Sequence, residues 1–124
     1  MLDHKKLLVV RKITPDNRNE FIIPGGKQEP GESDRETLCR ELDEELGVKV
    51  LDAIHFGSFD DVAIFENIPI HMEVYLIRTK GILSPHSEIK EYLWINRDYK
   101  LQGHTLGSVL TKYVVPKLIE QNLM

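Results

Sequence analysis

Residues whose types and spacing suit chemistry are concentrated between Gly25 and Val48, where the chain reads GGKQEPGESDRETLCRELDEELGV. At about 100° per residue, Glu41, Glu44 and Glu45 fall within an arc of roughly 100° on one side of a helix, beside its leucine stripe. Carboxylates that close repel one another and raise each other's pKa, and a divalent cation relieves this. Such hard oxygen donors suit Mg²⁺ or Mn²⁺, ions that also bind phosphates. The Gly25-Gly26 pair allows a close backbone approach, so the Gly26 carbonyl is a further candidate ligand. An acidic amphipathic helix can also be no more than a solvated face, and the carboxylates alone leave both readings open.

These side chains need a rigid carrier, and the local sequence provides one. Ser33 followed by Glu36 is a capping box, Leu38, Leu42 and Leu46 recur every four residues, and Gly47 is a natural C-terminal stop. Upstream, Leu7 to Arg11 and Glu20 to Ile23 read as strands separated by the turn formers Thr14, Pro15, Asp16 and Asn17, with Pro24-Gly25-Gly26 ending the second. Downstream, strands are expected over 48–58, 62–65 and 70–79, with Glu66 to Pro69 as a turn, then shorter strands at Gly81 to Leu83 and Tyr92 to Ile95. Ser84 to Lys90 is a polar loop between those two. The tail, Thr105 to Leu123, has helical spacing in Leu106, Val109, Leu110, Tyr113, Val114, Leu118 and Ile119, and Pro116 should kink or break it. One early helix, one late helix and strands between them predict an α/β fold, a mixed sheet between helical layers.

With 124 residues and 41% hydrophobic content, the chain suits a single domain spanning 1–124 without an internal linker. A net charge of −4 and a pI near 5.7 argue against gripping a nucleic-acid polymer. A small anionic substrate is compatible with that charge if a metal supplies the positive partner. Cys39 is the lone cysteine, which excludes an intrachain disulfide and favours a cytoplasmic setting. Its expected role is a small buried hydrophobe. The apolar run Leu7 to Val10 is too short to span a membrane. His4, His55, His71, His86 and His104 lack metal-ligand spacing. Asp60 and Asp61 read as turn acids facing water, and Trp94 as a core residue.

The whole segment resembles the Nudix box, G-x5-E-x7-R-E-U-x-E-E-x-G-U with U aliphatic. Gly26, Glu32, Arg40, Glu41, Leu42, Glu44, Glu45, Gly47 and Val48 fill every fixed position. The strand ending in Phe21-Ile22-Ile23-Pro24 and the Glu88-to-Trp94 segment are similar to the family's usual surroundings. The resemblance implies an α/β/α sandwich and a hydrolase acting on nucleoside diphosphates linked to another group, with Mg²⁺ or Mn²⁺. It implies Glu41, Glu44 and Glu45 as metal ligands, joined by the Gly26 carbonyl. Arg40 would hold a glutamate in place, and Glu32 and Gly47 would be structural. The general base in this family is a box glutamate or one from a loop beyond the sheet; here the loop candidates are Glu88 and Glu91, with Glu88 favoured because it lies in an irregular stretch.

Substrate choice is set outside the box. A proline some sixteen residues beyond the box, as in ADP-ribose-type members, and the tyrosine of dinucleoside-polyphosphate-type members are both lacking; Ala63, Ile64, Phe65 and Glu66 stand in that region. Elimination leaves nucleoside triphosphates, oxidised ones included, as in the MutT-like branch. Candidate substrate contacts are Phe21, Gly25, Lys27 and Gln102, with Asp60, Asp61 and His104 as further base contacts. The alternative is a Nudix-like module that binds a nucleotide without turnover. An isoprenoid-diphosphate isomerase is disfavoured because Cys39 lies inside the box helix. Only six residues precede Leu7, so the family's usual first strand is expected to be missing, or a homodimer partner to cover that edge.

Overall fold

The computed structural model describes residues 1–16, 18–63 and 67–124. Its central strand is β2, Lys6–Lys12, and the reason lies in how this strand is buried. Leu7 and Val9 belong to one apolar cluster together with Leu110, Val114, Val115 and Leu118 of the C-terminal segment. Leu8 and Val10 belong to a second, with Leu42 and Leu46 of the box helix. Successive side chains point to opposite faces of a strand, so a run apolar at every position is what a strand covered on both sides requires. The helices are thereby placed in separate layers with the sheet between them.

The first strand, expected to be missing, is present. Leu2–Asp3 (β1) pairs antiparallel with β2, Leu2 opposite Leu7 and Asp3 opposite Lys6. His4 and Lys5 make the turn with φ of 49° and 60°, the left-handed pair that matches the twist of a tight hairpin. Two residues carry too little pattern to be read as a strand. The other neighbour of β2 is Ile89–Ile95, the last strand in the chain, also antiparallel.

The expected strand Glu20 to Ile23 is reduced to two single bridges, Ile22 with Val10 and, in parallel sense, Phe21 with Leu106. That parallel contact fastens the chain ahead of the C-terminal helix to the sheet. Gly81 to Leu83 forms no strand.

The middle of the chain is one long antiparallel hairpin, Lys49–Ala63 (β3) with Ile68–Lys80 (β4); Ile89–Ile95 is therefore β5. The strand runs on through 59–61, where a break is expected from sequence, and its register shifts at bulges between Val50 and Asp52 and between His55 and Gly57. Cross-strand pairs hold the register, His55 with Glu73 and His71 with Asp60, each at 2.7 Å. Asp60 and Asp61 therefore lie within β3 and not in a turn. Asp61, its side chain 7% exposed, accepts hydrogen bonds from the Ser108 hydroxyl and, at 3.0 Å, from Lys112 Nζ, which docks the hairpin on the C-terminal segment. Pro69 is inside β4. Asn17, and the proposed specificity positions Ile64, Phe65 and Glu66 with the end of the expected 62–65 strand, lie outside the described residues.

The box helix, α1, spans Asp34–Leu46 with both halves of the capping box formed between Ser33 and Glu36, and ends on Gly47 at φ 66°. In the tail, a π-helical turn Leu110–Val114 passes directly into α2, Val115–Glu120. Pro116 has no N–H to continue the α-helical ladder into the preceding turn, so the break expected there takes the form of a change of helix type. Among the described residues no helix is long and apolar enough to cross a membrane.

Candidate active site

Arg40 organises the loop ahead of α1. Its Nε donates to Glu32 Oε2 at 2.7 Å and its Nη2 to Glu32 Oε1 at 2.8 Å. The same Glu32 accepts from the Glu29 amide at 2.8 Å and the Thr37 hydroxyl at 3.2 Å. Arg40 Nη2 also reaches the Lys27 carbonyl at 3.2 Å. The guanidinium fork and the Glu29 amide hold the Glu32 carboxyl down at about 2. At the helix start, the Tyr75 hydroxyl donates to Asp34 and is pushed up to about 12 by that carboxylate, tying β4 to α1.

The carboxylates of α1 share one side, as expected, yet differ in environment. Glu44 is 55% exposed and Glu41 13% exposed, and Arg40 Nη1 approaches them at 3.6 Å and 2.8 Å. A Cβ on Gly26 would fall on the Glu41 carboxylate, so the box glycine and this acid are in direct apposition. Glu45 is 2% exposed, and neither of its oxygens has a hydrogen-bond partner. Burial pushes its carboxyl up to about 7; Lys12 opposes that shift, Glu41 adds to it, and the Gly25 amide faces the carboxylate without completing a hydrogen bond. A buried acid left without partners is costly to the fold, and its retention points to a ligand that satisfies it.

Among the described residues, no three His, Cys, Asp or Glu side chains converge as a ready metal cage. Arg40 Nη1 lies beside both Glu41 and Glu44, at 2.8 Å and 3.6 Å. The donors nevertheless suit a hard divalent ion: two orphaned carboxylate oxygens on Glu45, the Glu41 carboxylate, and a glycine backbone with nothing between it and that carboxylate.

The loop Ser84 to Lys90 is fastened to the far end of α1. The Ser84 amide donates to the Leu46 carbonyl at 3.0 Å and the His86 amide to the Glu45 carbonyl at 2.9 Å. Glu88, 55% exposed, pairs with Lys12 at 3.1 Å. Glu91 instead pairs with Arg11 at 3.1 Å. Lys12 was not singled out from sequence, and His86 only as a histidine without metal-ligand spacing; the signal available for Lys12 is its parity with Leu8 and Val10 in β2.

The remaining candidates are dispersed. Phe21 is buried in the core, with the Arg11 guanidinium 5.8 Å from its ring centroid and His104 edge-on at 6.0 Å. Gly25 has φ 140°. Lys27 is exposed, and Gln102 is exposed in a turn closed by its amide on Asp98. Cys39 and Trp94, expected to be buried, pack against the α1-side core but are only half-buried. A surface cleft of about 690 Å³ touches this region only through Glu32 and Arg40, and otherwise follows Arg35, Glu36, Cys39, Asp43 and Lys49, away from Glu45. A second cavity of about 60 Å³ lies beside Pro24, Leu38 and Tyr75.

Comparison with known proteins shows the family and the fold. A family model described as NUDIX domain matches residues 1–103. The CTP pyrophosphohydrolase of Escherichia coli (strain K12) is 47% identical over 100 residues, 81% of this chain and 73% of that protein. A putative 8-oxo-dGTP diphosphatase 2 of Mycobacterium tuberculosis (strain CDC 1551 / Oshkosh) is 40% identical over 60 residues, 47% of this chain and 43% of that protein, so the match spans less than half of that relative. A solved structure, a NUDIX hydrolase from Nitrosomonas europaea, superposes with a TM-score of 0.81 over 97% of this chain and 84% of that one at 18% identity, a likeness of fold.

Proposed function

Since the chain belongs to the NUDIX domain family, we propose that it is a divalent-metal-dependent pyrophosphohydrolase acting on a nucleoside triphosphate, oxidised or not. The observation that carries this reading is Glu45, a buried carboxylate with two unpartnered oxygens beside Glu41 and the Gly25-Gly26 loop. In this reading Glu41, Glu44, Glu45 and the Gly26 carbonyl would hold Mg²⁺ or Mn²⁺. The ion, when bound, neutralises phosphate charge and lowers the pKa of an attacking water. Arg40 keeps the Gly26 to Glu32 loop seated on α1 through its contacts with Glu32 and the Lys27 carbonyl. Glu88 is the loop acid available to accept the proton of the water.

The preference for triphosphates is supported by relatives named for CTP and 8-oxo-dGTP, together with the lack of a proline at the ADP-ribose-type position. The test is a panel of the common and oxidised nucleoside triphosphates, nucleoside diphosphates, nucleotide sugars, ADP-ribose and dinucleoside polyphosphates with Mg²⁺ or Mn²⁺, scored for pyrophosphate and phosphate release. Release of pyrophosphate with a nucleoside monophosphate from at least one triphosphate is expected. Turnover confined to sugar or dinucleotide substrates would move the substrate class. Metal-dependent binding without any turnover would favour a nucleotide-binding module.

A further inference from the structure

The bulge that ends the β2–β5 ladder has a chemical consequence. From Leu7 to Arg11 the register is regular, with Arg11 opposite Glu91, but Lys12 stands opposite Ile89, so one residue of β5 is skipped. Bulges re-aim side chains at the ends of ladders. Leu8 and Val10 face α1, and Lys12 is next in that alternation. The skip brings Glu88 into range of its ammonium, at 3.1 Å from Oε1, while the Ile13 amide donates to the Glu88 carbonyl at 2.7 Å. On its other side the same loop is bound to α1, through His86 to the carbonyl of Glu45 itself.

We infer that Lys12 is a positioning residue, whose ammonium fixes the Glu88 carboxylate over the Glu45 end of α1 so that the loop acid and the buried helix acid serve one site. The inference rests on the pyrophosphohydrolase reading for its catalytic meaning, and on the strand and loop contacts for its geometry. Lys12 is the principal positive charge opposing the burial of Glu45, which places it close to that acid as well. Stability is a poor explanation for the pair: its side chains are 27% and 55% exposed, and ion pairs that open contribute little to folding. Orientation is the role that remains. It also fits the length of lysine, which reaches from a covered strand to a loop edge with a flexible stem.

The test uses the full chain as Lys12→Met, Lys12→Arg, Glu88→Gln and the Lys12→Met/Glu88→Gln pair, each first checked for an unchanged melting transition. Amide exchange in the metal-free protein is read over 84–90 and over α1. Lys12→Met should speed exchange in 84–90 and leave α1 as it was, with Lys12→Arg restoring protection. In turnover, Lys12→Met should lower kcat by about tenfold to a hundredfold with KM nearly constant, as expected when a reacting group is misplaced. The double variant should be no slower than Glu88→Gln alone. A raised KM, or losses that multiply in the double variant, would assign Lys12 to substrate phosphate and overturn the inference. Unchanged exchange over 84–90 would overturn it as well. If the wild type turns over no nucleotide, the functional reading fails while the exchange arm still decides the positioning claim.

Discussion

Arg40 and Glu32 meet in a two-pronged contact, Nε to Oε2 at 2.7 Å and Nη2 to Oε1 at 2.8 Å, across eight residues of sequence. The fork fastens the loop that carries Gly26 to the helix that carries the carboxylates. Only a planar guanidinium presents two parallel donors in this way. Arg40→Lys should therefore preserve charge but release the loop, with kcat/KM on the panel's best triphosphate falling by about a hundredfold. Retention of near wild-type rates in Arg40→Lys would show that charge alone suffices there.

The same contact makes stability depend on pH in a defined window. Glu32 has its carboxyl lowered from 4.5 to about 2 by Arg40 and the Glu29 amide. A depressed acid contributes stability that is fully present above the unfolded value and lost as pH falls through the folded one. The urea midpoint of the wild type should exceed that of Glu32→Gln at neutral pH. That gap should shrink as the pH falls from 4.5 toward 2. A gap constant across this range would mean that Glu32 contributes by packing and not by charge.

Glu45 behaves with the opposite sign. Burial raises its carboxyl from 4.5 to about 7, so its contribution is fully favourable below the unfolded value and is lost as pH rises through the folded one. In chelator, Glu45→Gln should melt at the same temperature as wild type below pH 4.5 and higher than wild type above about 7. With Mg²⁺ present the order should reverse, because only the wild type gains a ligand that binds the native state. The variant should also lose at least about a hundredfold in rate. Equal melting curves with and without metal in the wild type would remove Glu45 from the metal site.

How far these features could be read in advance follows from where their information is stored. The box helix is local: its cap, its leucine spacing and its terminal glycine lie within one stretch, and each forms as expected. The sandwich was legible from the order of elements, one helix early, one late and strands between them, and the structure adds that Leu7 to Val10 are covered on both faces. β1 was not, since two residues of strand carry no period. Asp60 and Asp61 look like a turn because acids are poor strand formers, yet pairing with His71 and contact with Ser108 and Lys112 override that preference. On a helical wheel Glu41, Glu44 and Glu45 are near-equivalents. Their division into half-buried, exposed and fully buried is made by β2 and the Gly25-Gly26 loop, which no helix period encodes. The meeting of Lys12 with Glu88 was hidden for a related reason, because it depends on a bulge set by the partner strand.

Gly26→Ala tests the apposition of loop and helix directly. Its added Cβ would fall on the Glu41 carboxylate, a flexible group that can be displaced without unfolding the chain. The melting transition in chelator should therefore change little, while Mn²⁺ affinity measured by calorimetry falls with the displaced carboxylate. Undiminished Mn²⁺ affinity in Gly26→Ala would indicate that Glu41 is not a ligand.

Gly47 carries two demands that can be separated. Its φ of 66° places it in the left-handed region, and a Cβ there would lie 3.1 Å from His86 Nε2. The first demand alone costs a non-glycine residue about 1–2 kcal/mol. The second depends on His86, whose loop is tied to α1 by the His86 amide at the Glu45 carbonyl. A cycle of Gly47→Ala, His86→Ala and the double variant resolves them by urea denaturation. Gly47→Ala should destabilise by more than the backbone cost in the wild type and by about that cost alone when His86 is alanine. A coupling energy of at least about 0.5 kcal/mol is expected for groups in contact. If the two substitutions prove additive, the glycine at the end of the box is required only for its backbone, and the loop bearing Glu88 is seated on α1 by main-chain hydrogen bonds without help from the His86 ring.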